Sequence, residues 1–334
     1  MTDDALVGIA HDDLTPEMVA YLRHLLLRNR HRTARTMAQN LAQYAGWCHQ
    51  VSIDPMRATR SQLDDYLSWL ATTYRTKQGK PLARTTLSTR IYNCKAWYAW
   101  LMIQGLIVVN PAEHLHVRVP KSRVVMREHL TLQEATALVQ TQARLAADAE
   151  PGSYTHAIQL RNLALICLAL ATGRRMTGLI TVQVQHLDMA RQELRVEREK
   201  GRMGRVLPVA DWCIAAAREY LSEGRAVLMD PSSHWLFGNR DSTGHISSDA
   251  LRWLLPTLVE RTIAANPDLT DLPQKRITWH SLRVSFAMLL FLNDCPIRSV
   301  NELMLHSCLS TTARYTPIQI ADMQSVWRTA HPRP

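Results

Sequence analysis

Six residues in this chain have the types and spacing from which a reaction site could be built. Arg175, with Arg174 beside it, follows a long apolar stretch in "ATGRRMTGL". Lys200 sits in "REKGRMGRVLPV", a turn punctuated by glycines. His280 and Arg283 are three apart in "HSLRVSFAMLL", which puts them on one helix face. His306 precedes Tyr315 by nine positions in "ELMLHSCLSTTARYTPI". Arginine and lysine hold positive charge against an anion, and histidine exchanges a proton near neutral pH. The phenol of Tyr315 is either a packing group or a nucleophile. The segment before it, Ser310-Thr311-Thr312-Ala313-Arg314, contains no large apolar residue, so it does not read as core.

The rest of the chain must position these groups. With 334 residues and 46% hydrophobic content it is long enough for two globular domains. A formal net charge of +10 favours a polyanionic partner, nucleic acid first, because each neutralised phosphate releases condensed counterions. The cysteines at 48, 94, 167, 213, 295 and 308 form no C-x-x-C pair, and several fall within apolar helical patterns. They read as reduced core residues, with neither a zinc site nor a disulfide framework. His114, His116, His234 and His245 show no ligand spacing and read as surface residues. The acidic start "MTDDALVGIAHDDLTPE" reads as no targeting peptide, and no apolar run approaches the ~20 residues of a membrane span.

The first third reads as four or five short helices over about residues 13–115, after a short extension at 1–12. Thr15 caps a helix with Pro16 in its first position. Thr59 and Gln62 match a capping box ahead of Leu63, Tyr66, Leu67 and Leu70. Leu87, Ile91, Cys94, Trp97, Tyr98 and Leu101 mark a longer helix that Gly105 stops. The stretch "RHLLLRNRHRTAR" is either a solvated helix face or a lining for nucleic acid. Residues 116–128, "HVRVPKSRVVMRE", are basic and broken by Pro120, as in an interdomain linker. Thr131 and Glu134 form a second capping box. "AIQLRNLALICLALATG" is apolar almost all round, which predicts a buried helix ended by Gly173. "HLDMARQELRVEREKGRMGRVLPV" alternates like three short antiparallel strands, turning at 188–192 and at Lys200-Gly201. From Trp212 onward the pattern is helical again, with breaks at 231–233 and 266–268. The fold class is mainly α with one small antiparallel sheet.

Three of these stretches, taken in order, resemble the tyrosine recombinase (phage integrase) family. "ATGRRMTGLITVQVQHLD" is similar to its first arginine box, and "EKGRMGRVLPV" to its lysine hairpin. "HSLRVSFAMLLFLNDCPIRSVNELMLHSCLSTTARYTPI" is similar to its second arginine box running on to the nucleophile. "TARTMAQNLAQYAGWCHQ" and "TTLSTRIYNCKAWYAWLMIQGLIVVNPAEHL" resemble its core-binding domain. The resemblance implies a helical, SAM-like core-binding domain over 13–115 and a mixed α/β catalytic domain over 129–317. It also implies a C-terminal tail, 318–334, that protomers exchange. The expected partner is double-stranded DNA with an inverted-repeat core site, bound by a synaptic tetramer in the cytoplasm at the nucleoid. A DNA-bending protein or a partner recombinase would be an additional partner; no membrane, metal or cofactor is implied.

The resemblance also assigns roles, and elementary chemistry agrees with them. Breaking a phosphodiester this way needs a nucleophile that can hold the phosphoryl group, fixed charge around the non-bridging oxygens, and an acid for the leaving oxygen. By resemblance Tyr315 is the nucleophile, and Arg175 and Arg283 hold the phosphate. Lys200 is the acid, His280 helps take the tyrosine proton, and His306 hydrogen-bonds the phosphate. Arg202 and Arg205 compete with Lys200 for the hairpin role, but a guanidinium is a poor proton donor. Three positions depart from the family pattern. An acid is common where this chain has Gly178, a glycine where it has Leu305, and a histidine where it has Val284. A type IB topoisomerase would use the same chemistry, and a non-catalytic DNA-binding accessory protein would use none of it. Ile318, Ile320, Ala321, Met323, Val326 and Trp327 suggest an apolar tail helix, which favours the recombinase.

Overall fold

The computed structural model describes residues 14–28, 30–118, 128–196, 204–238 and 244–305. The chain divides into two compact units, Met1–Ser122 and Arg123–Pro334.

The first unit contains four α-helices: α1 (Pro16–Leu27), α2 (His31–Gln50), α3 (Arg60–Thr72) and α4 (Arg84–Ile103). A single 3-10 turn, Pro55–Arg57, separates α2 from α3. The starts follow local chemistry. Thr15 Oγ1 accepts the Met18 N–H at 3.3 Å, and the missing N–H of Pro16 costs nothing in the first turn. Thr59 and Gln62 satisfy each other's backbone N–H groups at the start of α3. Gly105, at φ +70°, turns the chain beyond α4.

The centre of this unit is aromatic. Tyr44, Tyr66, Trp97 and Tyr98 are fully buried, with ring centroids 4.7–6.3 Å apart among the contacting pairs. Tyr98 donates its hydroxyl proton to the Pro55 carbonyl at 2.7 Å. The 2.6 Å contact between the Tyr44 and Tyr98 oxygens therefore takes its proton from Tyr44. Burial holds both phenols far above their ordinary titration range. On α1, α2 and the turn between them, Leu22, Leu25 and Ala34 face inward, while Arg23, Arg28, Arg30 and Arg35 are exposed.

The second unit is built around α6 (Tyr154–Thr172), which packs against α5 (Leu132–Ala147), α8 (Asp211–Glu219), α9 (Arg225–Leu228) and α11 (Trp279–Leu292). The Thr131–Glu134 capping box opens α5, with the Thr131 N–H donating to Glu134 Oε2 at 2.7 Å. By length and mean hydropathy α6 would also pass as a membrane span, although no uninterrupted apolar run stands out in the sequence. Gln159, Arg161 and Asn162 interrupt it, and most of its surface is buried against its neighbours, as in a soluble core helix. Burying so many aliphatic side chains contributes about 1.5–3 kcal/mol for each Leu or Ile.

After the short α7 (Met176–Ile180) come β1 (Leu187–Asp188), β2 (Glu193–Val196) and β3 (Arg205–Pro208), an antiparallel sheet in sequential order. Leu194 pairs with both Leu187 and Leu207, so one face of the sheet enters the core. A π-turn, Tyr220–Gly224, joins α8 to α9; α10 (Ser248–Ala265) precedes α11, and α12 (Ile297–Leu303) follows it.

Candidate active site

Two glycine-dependent features set the site's frame. Gly173 ends α6 in the left-handed conformation, φ +57°. A Cβ there would also lie 2.3 Å from the Phe286 ring, so only glycine lets the chain turn this close to α11. The turn exposes the Gly173 carbonyl to Arg283. Arg283 is 3% exposed and donates from Nη1 to Gly173 O at 2.6 Å and from Nη2 to Met304 O at 2.5 Å. One guanidinium thus ties the end of α6 to the residue that caps α12. Burying such a charge is costly unless it is hydrogen-bonded or meets an anion.

Helix α11 is pinned on several sides. Thr278 and Ser281 form a capping box at its start. Trp279 Nε1 donates to Leu251 O on α10 at 2.6 Å. Ser285 donates to Ser281 O at 2.8 Å and accepts the Leu130 N–H at 2.8 Å. Lys275 meets Glu134 at 2.7 Å, with the carboxylate almost wholly buried. Val284, at the position where the family often has a histidine, is buried with Ala287, Val300 and Met304. That cluster holds α12 against α11.

A small pocket opens at this junction, lined by Thr172, Arg174, Arg175, Arg283, Leu303, Met304 and Leu305. Three arginines contribute to its lining, and no acidic residue does among the described residues. Such a set is suited to a phosphate, whose oxygens match planar forked donors. Arg175 is the cap residue of α7 and is exposed; Arg174 is half-buried, and both line the pocket. His280 lies in the first turn of α11, exposed, although it shares the helix with the buried Arg283. It is not among the residues lining the pocket. Lys200, His306 and Tyr315 lie outside the described residues, as does Cys308.

Leu305, the last described residue before His306, has φ +54°. That is the region glycine favours, and a leucine there costs about 1–2 kcal/mol. Thr172 and Leu303 also line a second, apolar pocket with Ala171, Leu207, Pro208, Val209, Ala210, Phe286 and Leu290. Sequence reasoning missed this pocket and the two carbonyls that hold Arg283, because all of them arise where separate elements meet.

A family model described as the phage integrase family matches residues 128–321. The chain belongs to this family, the tyrosine recombinases. It is similar to tyrosine recombinase XerC of Mycobacterium tuberculosis, 32% identical over 268 residues, covering 80% of this chain and 82% of that one. XerC of Staphylococcus haemolyticus is 27% identical over 302 residues, 90% and 91% of the two chains. XerD of Corynebacterium glutamicum is 28% identical over 318 residues, 94% and 97%. The fold is similar to that of the XerH site-specific recombinase bound to a palindromic difH substrate in a post-cleavage complex. That match has a TM-score of 0.65 at 18% identity and covers 90% of this chain and 81% of that one. The Tn1549 transposon integrase in complex with circular intermediate DNA gives 0.61 at 15% identity, covering 92% and 97%.

Proposed function

We propose that this tyrosine recombinase cleaves and rejoins duplex DNA at specific sites through a 3′-phosphotyrosine intermediate. The reading rests most on the pocket that joins Arg175 and Arg283 one residue before His306 and ten before Tyr315. In this scheme the Tyr315 oxygen attacks the scissile phosphorus and the bond from phosphorus to the 5′ oxygen breaks. The tyrosine proton passes toward His280, and Lys200 delivers a proton to the leaving oxygen. Arg175, Arg283 and His306 hold the non-bridging oxygens, where negative charge accumulates. Attack by a 5′ hydroxyl from another strand reverses these steps and releases the tyrosine. The linkage keeps the energy of the broken bond, so no external energy source enters.

The relatives act as recombinases, and the solved neighbours were captured on DNA; both support duplex DNA with an inverted-repeat core as the substrate here. The net charge of +10 is consistent with extensive phosphate contact. Two paired sites would be held by a tetramer in the cytoplasm, with a bending protein or a partner recombinase added where the site requires it. The apolar tail from Ile318 would pass to a neighbouring protomer, and the apolar pocket beside the arginines is a suitable acceptor. Integration or excision of a mobile element and resolution of replicon dimers all use this chemistry.

The deciding experiment is a nicked suicide substrate carrying the native site, which traps the adduct. Wild type should form a covalent complex, while Tyr315→Phe should bind DNA and form none. An adduct with the phenylalanine variant would sink the assignment. Relaxation of supercoils by a monomer, without pairing of sites, would favour a topoisomerase.

A further inference from the structure

Arg174 needs its own explanation. Arg174 lines the pocket with Arg175 and Arg283. It lies over Gly178, four residues on: a Cβ built on Gly178 would sit 2.6 Å from Arg174 Nη2 and 3.0 Å from Nε. Gly178 is buried inside α7, and its φ is not in the left-handed region. The backbone therefore does not demand glycine there, and a helical glycine is otherwise a destabilising choice. What the missing side chain provides is space, and that space holds the Arg174 guanidinium.

We propose that Arg174 is a third phosphate-binding guanidinium of this site, and that Gly178 is the residue that lets it lie there. The inference rests on the reading of the pocket as the scissile-phosphate site. A phosphodiester carries one negative charge, but the five-coordinate arrangement formed during attack carries about two on its non-bridging oxygens. Three cations with no lining carboxylate match the second state better than the first. Arg174 is thus a catalytic residue in the sense that it touches the reacting phosphate, and its contribution grows as charge develops. A carboxylate at position 178 would pair with this guanidinium and withdraw it from the pocket.

The test compares adduct formation by wild type, Arg174→Ala, Arg174→Lys, Gly178→Glu and the double variant Arg174→Ala/Gly178→Glu. Each is assayed on three suicide substrates: the normal phosphodiester, one with a neutral methylphosphonate at the scissile position, and one with it at the adjacent phosphate. On normal DNA, Arg174→Ala should slow adduct formation by roughly 10- to 100-fold, at or below the range for losing one preorganised donor. Arg174→Lys should recover part of the rate. Gly178→Glu should resemble Arg174→Ala, and the double variant should lose no more than either single one. On the scissile methylphosphonate the loss from Arg174→Ala should shrink to about threefold or less, because the charge it answers is gone. On the adjacent methylphosphonate the full loss should remain.

A full loss on the scissile methylphosphonate overturns the proposal, since a residue acting through folding or general DNA affinity gives that result. So does a wild-type rate for Arg174→Ala on normal DNA. If the loss shrinks on the adjacent methylphosphonate instead, the guanidinium serves a neighbouring phosphate and the proposal is wrong. A wild-type protein that forms no adduct at all overturns the reading of the site, and this inference with it; the other outcomes overturn the inference alone.

Discussion

The two sides of the arginine pocket are built differently. On one side Arg283 is buried, projects from a helix pinned by Trp279, Ser285 and the Lys275–Glu134 pair, and spends two donors on backbone carbonyls. On the other side Arg174 and Arg175 stand on the short turn after Gly173, half-buried and exposed. One side buries its charge among structural contacts and the other holds its charges nearer the surface. A residue's importance for chemistry and its importance for folding should therefore separate across a pocket only a few residues wide.

The largest expected effect breaks that contrast at its stronger side. Arg283→Ala should abolish measurable cleavage and also destabilise the protein by about 2–4 kcal/mol, because two buried carbonyls lose charged donors. At 2–4 °C per kcal/mol that lowers Tm by roughly 4–16 °C. Arg175→Ala should slow cleavage by roughly 10²–10³-fold yet leave unfolding within about 0.5 kcal/mol of wild type. Denaturant unfolding beside single-turnover cleavage checks both, and equal destabilisation by the two variants would erase the distinction.

The next effect separates charge on the oxygens from the proton for the leaving group. Lys200→Ala should slow cleavage by about 10²–10⁴-fold, the range for general acid catalysis. A 5′-bridging sulfur leaves without a proton, so that substrate should rescue Lys200→Ala but not Arg175→Ala. Rescue of Arg202→Ala instead would move the acid two residues along the hairpin.

A smaller effect tests the two left-handed positions flanking the pocket. Gly173→Ala meets both an unfavourable φ and the Phe286 ring, and should cost about 2–4 kcal/mol. Leu305→Gly should move stability the other way, by up to about 1 kcal/mol, since relief of backbone strain exceeds the added freedom of the unfolded chain. Equal signs for the two substitutions would mean that φ is not what distinguishes them.

Much of this architecture is legible in the sequence because its signals are local. Thr15, Thr59 with Gln62, and Thr131 with Glu134 announce helix starts by satisfying N–H groups within one turn. Gly173 announces the end of α6, and the alternation around Leu194 announces the sheet. Of the six chemical residues, Arg175 and Arg283 meet at one pocket, while Lys200, His306 and Tyr315 lie outside the described residues. What was not legible depends on elements far apart in the chain. Spacing puts His280 and Arg283 on one helix, but the packing of α6 and α12 decides that Arg283 alone is buried. The Thr278–Ser281 box uses serine where glutamate or glutamine would have flagged it. From the sequence the second arginine of the pair reads as either a solvated or a phosphate-positioning residue; in the structure both line the pocket. The signal that could have revealed this was Gly178, four residues after Arg174.

A further prediction concerns one buried thiol in the core of each unit. Burial within α6 pushes the Cys167 thiol up to about 12, and burial in α2 pushes that of Cys48 up to about 11. Both should stay protonated and resist alkylation in the native protein, while the half-buried Cys295, just before α12, reacts first among the described cysteines. The native state holds these protons more tightly than the unfolded chain. Stability should therefore fall slightly as pH rises from about 9 toward 11. Mass-resolved alkylation and unfolding at stepped pH check both points.

The bond from Arg283 to the Met304 carbonyl has one more consequence. It fixes the origin of a leash. Tyr315 lies eleven positions beyond Met304, and covalent geometry limits the fully extended span between them to roughly 36–40 Å. That radius, centred beside the arginine pocket, bounds every place the Tyr315 phenol can reach. Residues inserted after Leu305 would lengthen that radius by up to about 3.6 Å each and leave the residues that line the pocket unchanged.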